Sequence, residues 1–447
     1  MLAAATVNAR ADLPLDLQNT YEETLQPLQL AAAAQTQQTG GLIQQEAGFH
    51  HRRVVDRSTM NGKVICGYQG WFNAPGDGAD RGWVHWSRRR ESLGDGQATF
   101  ELWPDVSELS PAERFASDFH FADGAAAEVF SSFVEPTVFR HFQWMQEYNI
   151  DGVFVQRFAT GLRSVDSLRH NNTVLSHCRG GASQHGRAYA IMYDLSGLGP
   201  GGTKWVIDDW QAMHSQSHLT SDPAYLRHNG QPVVAVWGVG FGDDRKYSIQ
   251  ECNELVDFFK TSAIEGGCTL MIGVPTFWRE LDRDSITDPA LHQVLAKADV
   301  ISPWTVGRYD SPQSAENYSR TTLAEDRRWC QDRGIELMPV AFPGFSWHNL
   351  KRGAVLDQIP RRGGEFLWAQ LQGAQLAGAD MVYVAMFDEV DEATAIFKCG
   401  VRAPESNESK FLTFAEHPSD HYLRITGEAA AHFHAGTSIP DAMPSQP

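Results

Sequence analysis

The chain has 447 residues, 42% hydrophobic and 21% charged, with a formal net charge of -18. That length fits two or three average domains or one large α/β barrel with an ample core. No run approaches the ~18 apolar residues of a membrane span, and an acidic chain without an offsetting basic block argues against a nucleic-acid or membrane partner.

Aromatic residues make up 11% of the chain and include 13 tryptophans. Such a surplus fills cores, and it also suits sugar rings, whose apolar faces stack on indole. The six cysteines, Cys66, Cys178, Cys252, Cys268, Cys330 and Cys399, are widely spread with no CxxC pair, neither a disulfide scaffold nor a zinc motif. No metal or other cofactor is expected.

Residues 1–50, rich in Ala, Gln, Thr and Leu, read as a leader or peripheral segment with a helical pattern from Leu15 to Leu30. The N-terminus lacks a basic stretch followed by a long apolar one, so no export signal is legible. Residues 51–447 read as one main domain. From Val64 onward a unit recurs: a short apolar run, a loop with polar and aromatic residues, then an amphipathic stretch. The eight runs are Val64 to Gly67, Gly152 to Gln156, Ala188 to Tyr193, Val233 to Trp237, Thr269 to Val274, Val300 to Trp304, Leu337 to Phe342 and Met381 to Ala385. Helical periodicity covers Val134 to Tyr148, Ile249 to Ala263, Ala315 to Arg333 and Glu365 to Ala377, and Ser419 to His434 supplies an eighth helix. Near-continuous apolar runs alternating with helices predict a parallel sheet covered on both faces, arranged as a closed (β/α)₈ barrel. A doubly wound open sheet is the alternative, but Gly67-Tyr68-Gln69-Gly70-Trp71 carries bulky aromatics where a phosphate loop needs glycines.

In such a barrel the site lies at the carboxyl ends of the strands. Those ends carry Tyr68, Gln69 and Trp71, with His85 and Trp86 in the following loop, then Gln156 and Arg157, Asp194, and Trp237. Further along come Trp278 and Arg279, Trp304 and Tyr309, and Trp347 and His348. Flat apolar faces interleaved with polar groups predict a carbohydrate-binding cleft. The eighth run ends in Asp388, Glu389, Asp391 and Glu392, four carboxylates in five positions. Crowded acids raise one another's pKa, which yields the acid and base pair that glycosidic cleavage needs. If the segment continues as a strand, Glu389 and Asp391 share a face; if it turns, Glu389 and Glu392 converge. A divalent-metal site and a helix N-cap cluster are the competing readings.

The segments Gly67-Tyr68-Gln69-Gly70-Trp71-Phe72, Trp83-Val84-His85-Trp86, Pro232 to Gly238, Phe342 to Trp347 and the closing acidic run resemble glycoside hydrolase families 71 and 99 and their xylosidase/arabinosidase-like relatives. The resemblance extends from about Lys63 to the Tyr422-Leu423-Arg424 region. In family 99 the eighth-strand segment resembles Asn-Glu-Trp-His-Glu, whose glutamates match Glu389 and Glu392, while Asp388, Val390 and Asp391 depart from it. The resemblance implies a secreted or periplasmic glycosidase acting on a polysaccharide or glycan. It makes Glu392 the general acid and Glu389 the base that draws a proton from the sugar 2-hydroxyl, with net retention. A direct two-carboxylate route with Glu389 as nucleophile, a non-catalytic carbohydrate-binding barrel and a metal-dependent hydrolase remain as alternatives. Asp388 and Asp391 are expected as tuners or hydroxyl acceptors.

Overall fold

Each of the eight apolar runs is a strand. The structure, a computed structural model, describes residues 13–35, 54–261, 267–414 and 416–444. Most of the expected leader and the helix end at Ala263 lie outside them. The strands are β1 (Val64–Tyr68), β2 (Gly152–Phe158), β3 (Ala188–Asp194), β4 (Gln231–Trp237), β5 (Thr269–Val274), β6 (Val300–Pro303), β7 in two pieces (Glu336–Leu337 and Val340–Ala341) and β8 (Val382–Val384). Neighbours pair in parallel in sequence order, and β8 returns to β1 with Val64 opposite Val382.

The barrel closes through β7. Its first piece pairs with β6 and its second with β8. Between them Pro339 has no N–H to give the ladder, yet Met338 N donates to Ile301 O at 2.9 Å and Pro339 O accepts from Tyr383 N at 2.9 Å. One short strand thus reaches both neighbours, and the (β/α)₈ reading holds.

Ten helices are described. They are α1 (Leu15–Gln35), α2 (Glu135–Glu147), α3 (Val165–Gln184), α4 (Thr203–Ser217), α5 (Ile249–Thr261), α6 (Ala290–Leu295), α7 (Pro312–Tyr318), α8 (Ala324–Gln331), α9 (Glu365–Leu376) and α10 (His421–Ala435). A π turn, Ser319–Leu323, joins α7 to α8. All but α1 lie on the connections between strands or after β8, burying their apolar faces on the barrel. Outside them, α1 packs on α3 and α4 with Leu17, Tyr21 and Leu25 buried. Residues 69–134, a long excursion between β1 and α2, carry a small hairpin of Phe115–His120 with Ala126–Val129.

Side chains alternate between the barrel interior and the helix layer along each strand. Gly67 shows why one interior position stays bare: a Cβ there would lie 2.0 Å from the Tyr383 hydroxyl and 2.4 Å from Met386 Sδ. Those two groups underlie the acidic run.

Candidate active site

After β8 the acidic run folds back on itself. Met386 N donates to Thr394 O at 3.1 Å, Ile396 N returns to Met386 O at 3.0 Å and Phe397 N to Phe387 O at 3.0 Å. These bonds close the base of a loop. Inside it Val390 N reaches Asp388 O and Thr394 N reaches Glu389 O, both at 3.1 Å. The segment is a turn and not a continued strand, so Glu389 and Glu392 fall on the same cavity while Asp391 faces elsewhere.

That cavity, about 460 Å³, is enclosed by the carboxyl ends of the strands and their loops. It brings together Gln69, Trp71, Gln156, Asp194, Trp237, Trp304 and Trp347 with the two glutamates. Trp237 and Trp304 meet edge to face at 5.3 Å, the arrangement favoured by ring quadrupoles. A larger hollow of about 1630 Å³ lies on the outer face by α7, α9 and residues 441–444 and holds none of the acidic run.

The two glutamates differ in their surroundings. Glu389 is buried; its Oε1 accepts from Gln69 Nε2 at 2.6 Å and its Oε2 from Thr394 Oγ1 at 2.6 Å. The Glu392 carboxyl is partly open to the cavity and has no hydrogen-bond partner among the described residues. Burial pushes Glu392 up to about 8, reinforced by Asp391, Glu101 and Asp194. Burial also raises Glu389 well above the ordinary range, followed by Glu392 and Asp391, while Thr394 and Gln69 pull against it. Two like charges this close share a proton as a pair. The Gln69 and Thr394 donors favour the ionised form of Glu389.

Asp388 is fully buried and clamps the loop after β1: Gln69 N donates to its Oδ1 and Gly70 N to its Oδ2, each at 2.8 Å. Burial lifts its carboxyl to about 7 against the pull of these donors. Asp391 Oδ2 meets His85 Nδ1 at 2.9 Å, and the His85 ring lies flat on Trp71, 3.9 Å between centroids and 4° between planes. Trp71 is thereby set in the cavity wall from behind. Asp194 accepts from Ser196 N at 2.7 Å, and burial raises it to about 6. Among the described residues no three of His, Cys, Asp and Glu are grouped to hold a metal ion.

Against solved structures, a family 99 endo-α-mannosidase from Bacteroides thetaiotaomicron superposes with a TM-score of 0.61 at 14% identity, covering 84% of this chain and 99% of that one. The chain shares the (β/α)₈ fold of that enzyme. A second structure of such an enzyme, in complex with Bis-Tris propane, gives a TM-score of 0.60 at 14% identity with the same coverage. A glycoside hydrolase-like protein gives 0.51 at 12% identity, covering 84% of this chain and 95% of that one. By sequence, no protein-family model and no curated protein matches.

The other expected site residues lie off the cavity, Tyr68 and Arg157 through strand alternation. Gly67 and Gln69 face inward, so Tyr68 points to α2, where its hydroxyl meets His141 Nδ1 at 2.9 Å. Gln156 faces inward, its Nε2 donating to the Tyr383 hydroxyl at 2.9 Å. Its neighbour Arg157 points outward and grips Asp209 of α4 with Nε at 2.7 Å and Nη2 at 2.6 Å. Tyr193 and Tyr21 of α1 complete that buried network on Asp209, at 2.6 and 2.8 Å. Trp86 is fully buried with its Nε1 on Phe130 O at 3.0 Å, and Trp278 packs edge-on against Trp329 of α8 at 4.8 Å. Arg279 pairs with Asp326 at 2.9 Å and Glu280 at 2.5 Å. The Tyr309 hydroxyl donates to Gln370 at 3.2 Å, and the His348 ring donates to Ala354 O at 2.7 Å.

Phe158, Phe241, Asp243 and Gln358 also line the cavity and are absent from the expected set. Phe158 was within reach of a period-two argument, standing two positions beyond Gln156 on the same face. Thr394 had no such signal, because it reaches Glu389 only when the loop closes.

A carboxyl raised by folding holds its proton more tightly in the native chain than in the unfolded one. Its contribution is therefore intact below the unfolded pKa and is lost as the pH climbs through the folded one. Asp388, Glu101 and Asp326 at about 7 and Glu392 at about 8 all lie on this side. The melting temperature is expected to fall as the buffer is taken from about pH 6.5, above which the buried histidines His141 and His170 no longer add an opposing slope, to about pH 8, read by scanning fluorimetry; a steady rise across that window would contradict the assignment.

Proposed function

We propose that the protein is a glycoside hydrolase acting on a neutral glycan or polysaccharide, with Glu392 as general acid and Glu389 as its ionised partner. The observation that carries this reading is the asymmetry of the pair: both carboxylates line one aromatic-walled cavity, Glu389 held by two donors and Glu392 by none. A general acid must keep its proton and be free to swing onto the leaving oxygen. Glu392 meets both conditions. A base or nucleophile must stay ionised and fixed, and the Gln69 and Thr394 bonds serve that in Glu389.

The lining supplies the rest of sugar recognition. Gln69 Oε1, Gln156 Oε1, Trp71 Nε1 and Trp237 Nε1 are buried polar atoms without a protein partner among the described residues. Two acceptors and two donors of this kind are costly unless a ligand or water engages them, and sugar hydroxyls match both types. The indole faces of Trp304 and Trp347 offer stacking surfaces.

In the reaction, Glu392 protonates the glycosidic oxygen as the bond to the anomeric carbon breaks. Glu389 either takes the proton of the sugar 2-hydroxyl, whose oxygen closes on the anomeric carbon, or attacks that carbon directly. Water then opens the intermediate with Glu392 as base, and both routes retain configuration. The likeness in fold to a family 99 endo-α-mannosidase makes an α-mannoside the first substrate to try. A panel of aryl glycosides and glycans, followed by NMR of the nascent anomer, tests the reading. Retention of configuration on at least one member is expected, and a first product of inverted configuration would exclude both routes.

A further inference from the structure

Trp237, at the end of β4, lines the cavity, and its indole Nε1 is buried without a partner among the described residues. An indole N–H that is to meet a sugar hydroxyl contributes fully only when its ring is held in place beforehand. Trp304 meets the ring edge to face. Phe241, from the loop after β4, lies 4.6 Å from it between centroids. Arg245 of the same loop stands over both rings, its guanidinium carbon 5.0 Å from the Trp237 centroid and 4.6 Å from that of Phe241.

Each nitrogen of that guanidinium is bonded. Nε and Nη2 fork onto the Asp243 carboxylate at 2.8 and 3.1 Å. Nη1 donates to the Tyr247 hydroxyl at 2.8 Å and to Ser196 Oγ, on the loop after β3, at 3.5 Å. The Tyr247 hydroxyl in turn donates at 2.7 Å to the carbonyl of Gly238, the residue that follows Trp237. Gly238 has φ +116°, and a Cβ there would lie 2.7 Å from Arg245 Nη1. The backbone at the foot of Trp237 is therefore shaped around this side chain. The Arg245 side chain is 10% exposed and that of Asp243 54%, so the carboxylate stands half in water and the cation against the rings. An ion pair open to water on one side contributes little; a desolvated guanidinium over aromatic rings is held more strongly.

We propose that Arg245 is a positioning residue that fixes the Trp237 indole, and with it a hydroxyl donor, in the wall of the cavity. It joins Ser196, Trp237, Phe241 and Asp243, four lining residues from the ends of β3 and β4. Its loss loosens that side of the cavity, while Glu389 keeps its bonds to Gln69 and Thr394. Substrate binding is therefore the step it serves, more than bond cleavage. The kinetic consequence rests on the glycosidase reading; the placement of the indole does not.

The full chain is compared with Arg245→Met, which keeps the length and removes the charge, and with Arg245→Lys, which keeps the charge and removes the fork. Indole N–H signals are read by NMR on isotope-labelled protein, that of Trp237 being identified by its loss in Trp237→Phe. Arg245→Met is expected to shift or broaden the Trp237 signal while most other tryptophan signals hold, and Arg245→Lys to bring it back toward the parent position. On a substrate found in the glycoside panel, Arg245→Met should raise KM about tenfold with kcat within about threefold, as when binding is lost equally from ground and transition states. Arg245→Lys should raise KM by no more than about threefold. In a Trp237→Ala background, Arg245→Met should add less than about twofold, since the ring through which it acts is gone. A Trp237 signal unmoved by Arg245→Met overturns the proposal. So does a lysine variant no better than methionine, a loss that falls on kcat instead of KM, or full additivity with Trp237→Ala. Arg245→Gln, which also drops the charge, replaces the methionine variant if that one does not fold. If no glycoside is turned over, the indole signal alone decides the placement, and only the proposed function falls.

Discussion

Glu392→Gln is expected to lower turnover of a glycoside with a poor leaving group by about 10²–10⁴-fold, the range that general acid catalysis contributes. The amide fills the same volume and keeps a polar face to the cavity, so ligand affinity should change by no more than a few-fold. The parent carboxyl has no partner to lose among the described residues, and above about pH 8, where it ionises, the variant is spared its like charge against Glu389 and Asp391. The variant should therefore melt at or above the parent. Leaving-group dependence sharpens the outcome, because an activated aryl leaving group needs less protonation and should recover much of the loss. Steady-state kinetics on paired activated and unactivated substrates, with calorimetric binding to the variant, provide the measurement. Full activity toward the unactivated substrate would remove Glu392 from its assigned role.

Asp388→Asn is expected to cost about 3 kcal/mol of stability, the scale of charge-assisted hydrogen bonds lost at a buried site. An asparagine offers one oxygen where the parent offers two, so one of Gln69 N and Gly70 N meets an amide donor instead of an acceptor. The damage extends to function. The Gln69 backbone is fixed by Asp388 and its side chain fixes Glu389 at 2.6 Å, so a loosened loop removes one of the two donors that hold Glu389 ionised. The drop should appear in kcat more than in KM, since binding is spread over the cavity wall while the proton inventory of the pair is local. Denaturant melts give the first part and kinetics the second; an Asn variant as stable as the parent would show that the two N–H groups find other acceptors.

Asp388 illustrates how the candidate site was only partly legible. Sequence reasoning marked all four acids and singled out Glu389 and Glu392 by resemblance, and the structure brings those two to one cavity. It read Asp388 and Asp391 as tuners or hydroxyl acceptors; both Asp388 oxygens bond the loop after β1, and one Asp391 oxygen meets His85. The difference lies in partners more than three hundred positions away in the chain, which no local spacing reveals. Arg157 and Tyr68 teach a related lesson. Both sit at strand ends, where a barrel puts its chemistry, but strand alternation turns them toward the helices. Trp237 and Trp304 were as open to doubt as Trp278; the first two meet across the cavity, whereas Trp278 packs on α8.

What the sequence determined by itself is the barrel and the position of its acidic end. Eight apolar runs alternating with helical stretches leave a parallel sheet few ways to cover both faces, and the observed strands fall on all eight. Tertiary structure decided the rest: that Pro339 splits β7 so one strand bonds both neighbours, that the acidic run turns back on itself, and that Arg245 stands over Trp237. Apolar periodicity is set by burial, which acts on every residue of a strand and so leaves a repeated mark. A carboxyl's role is set by which donors reach it, and these come from Gln69, Thr394 and His85, segments that meet only once the barrel has closed.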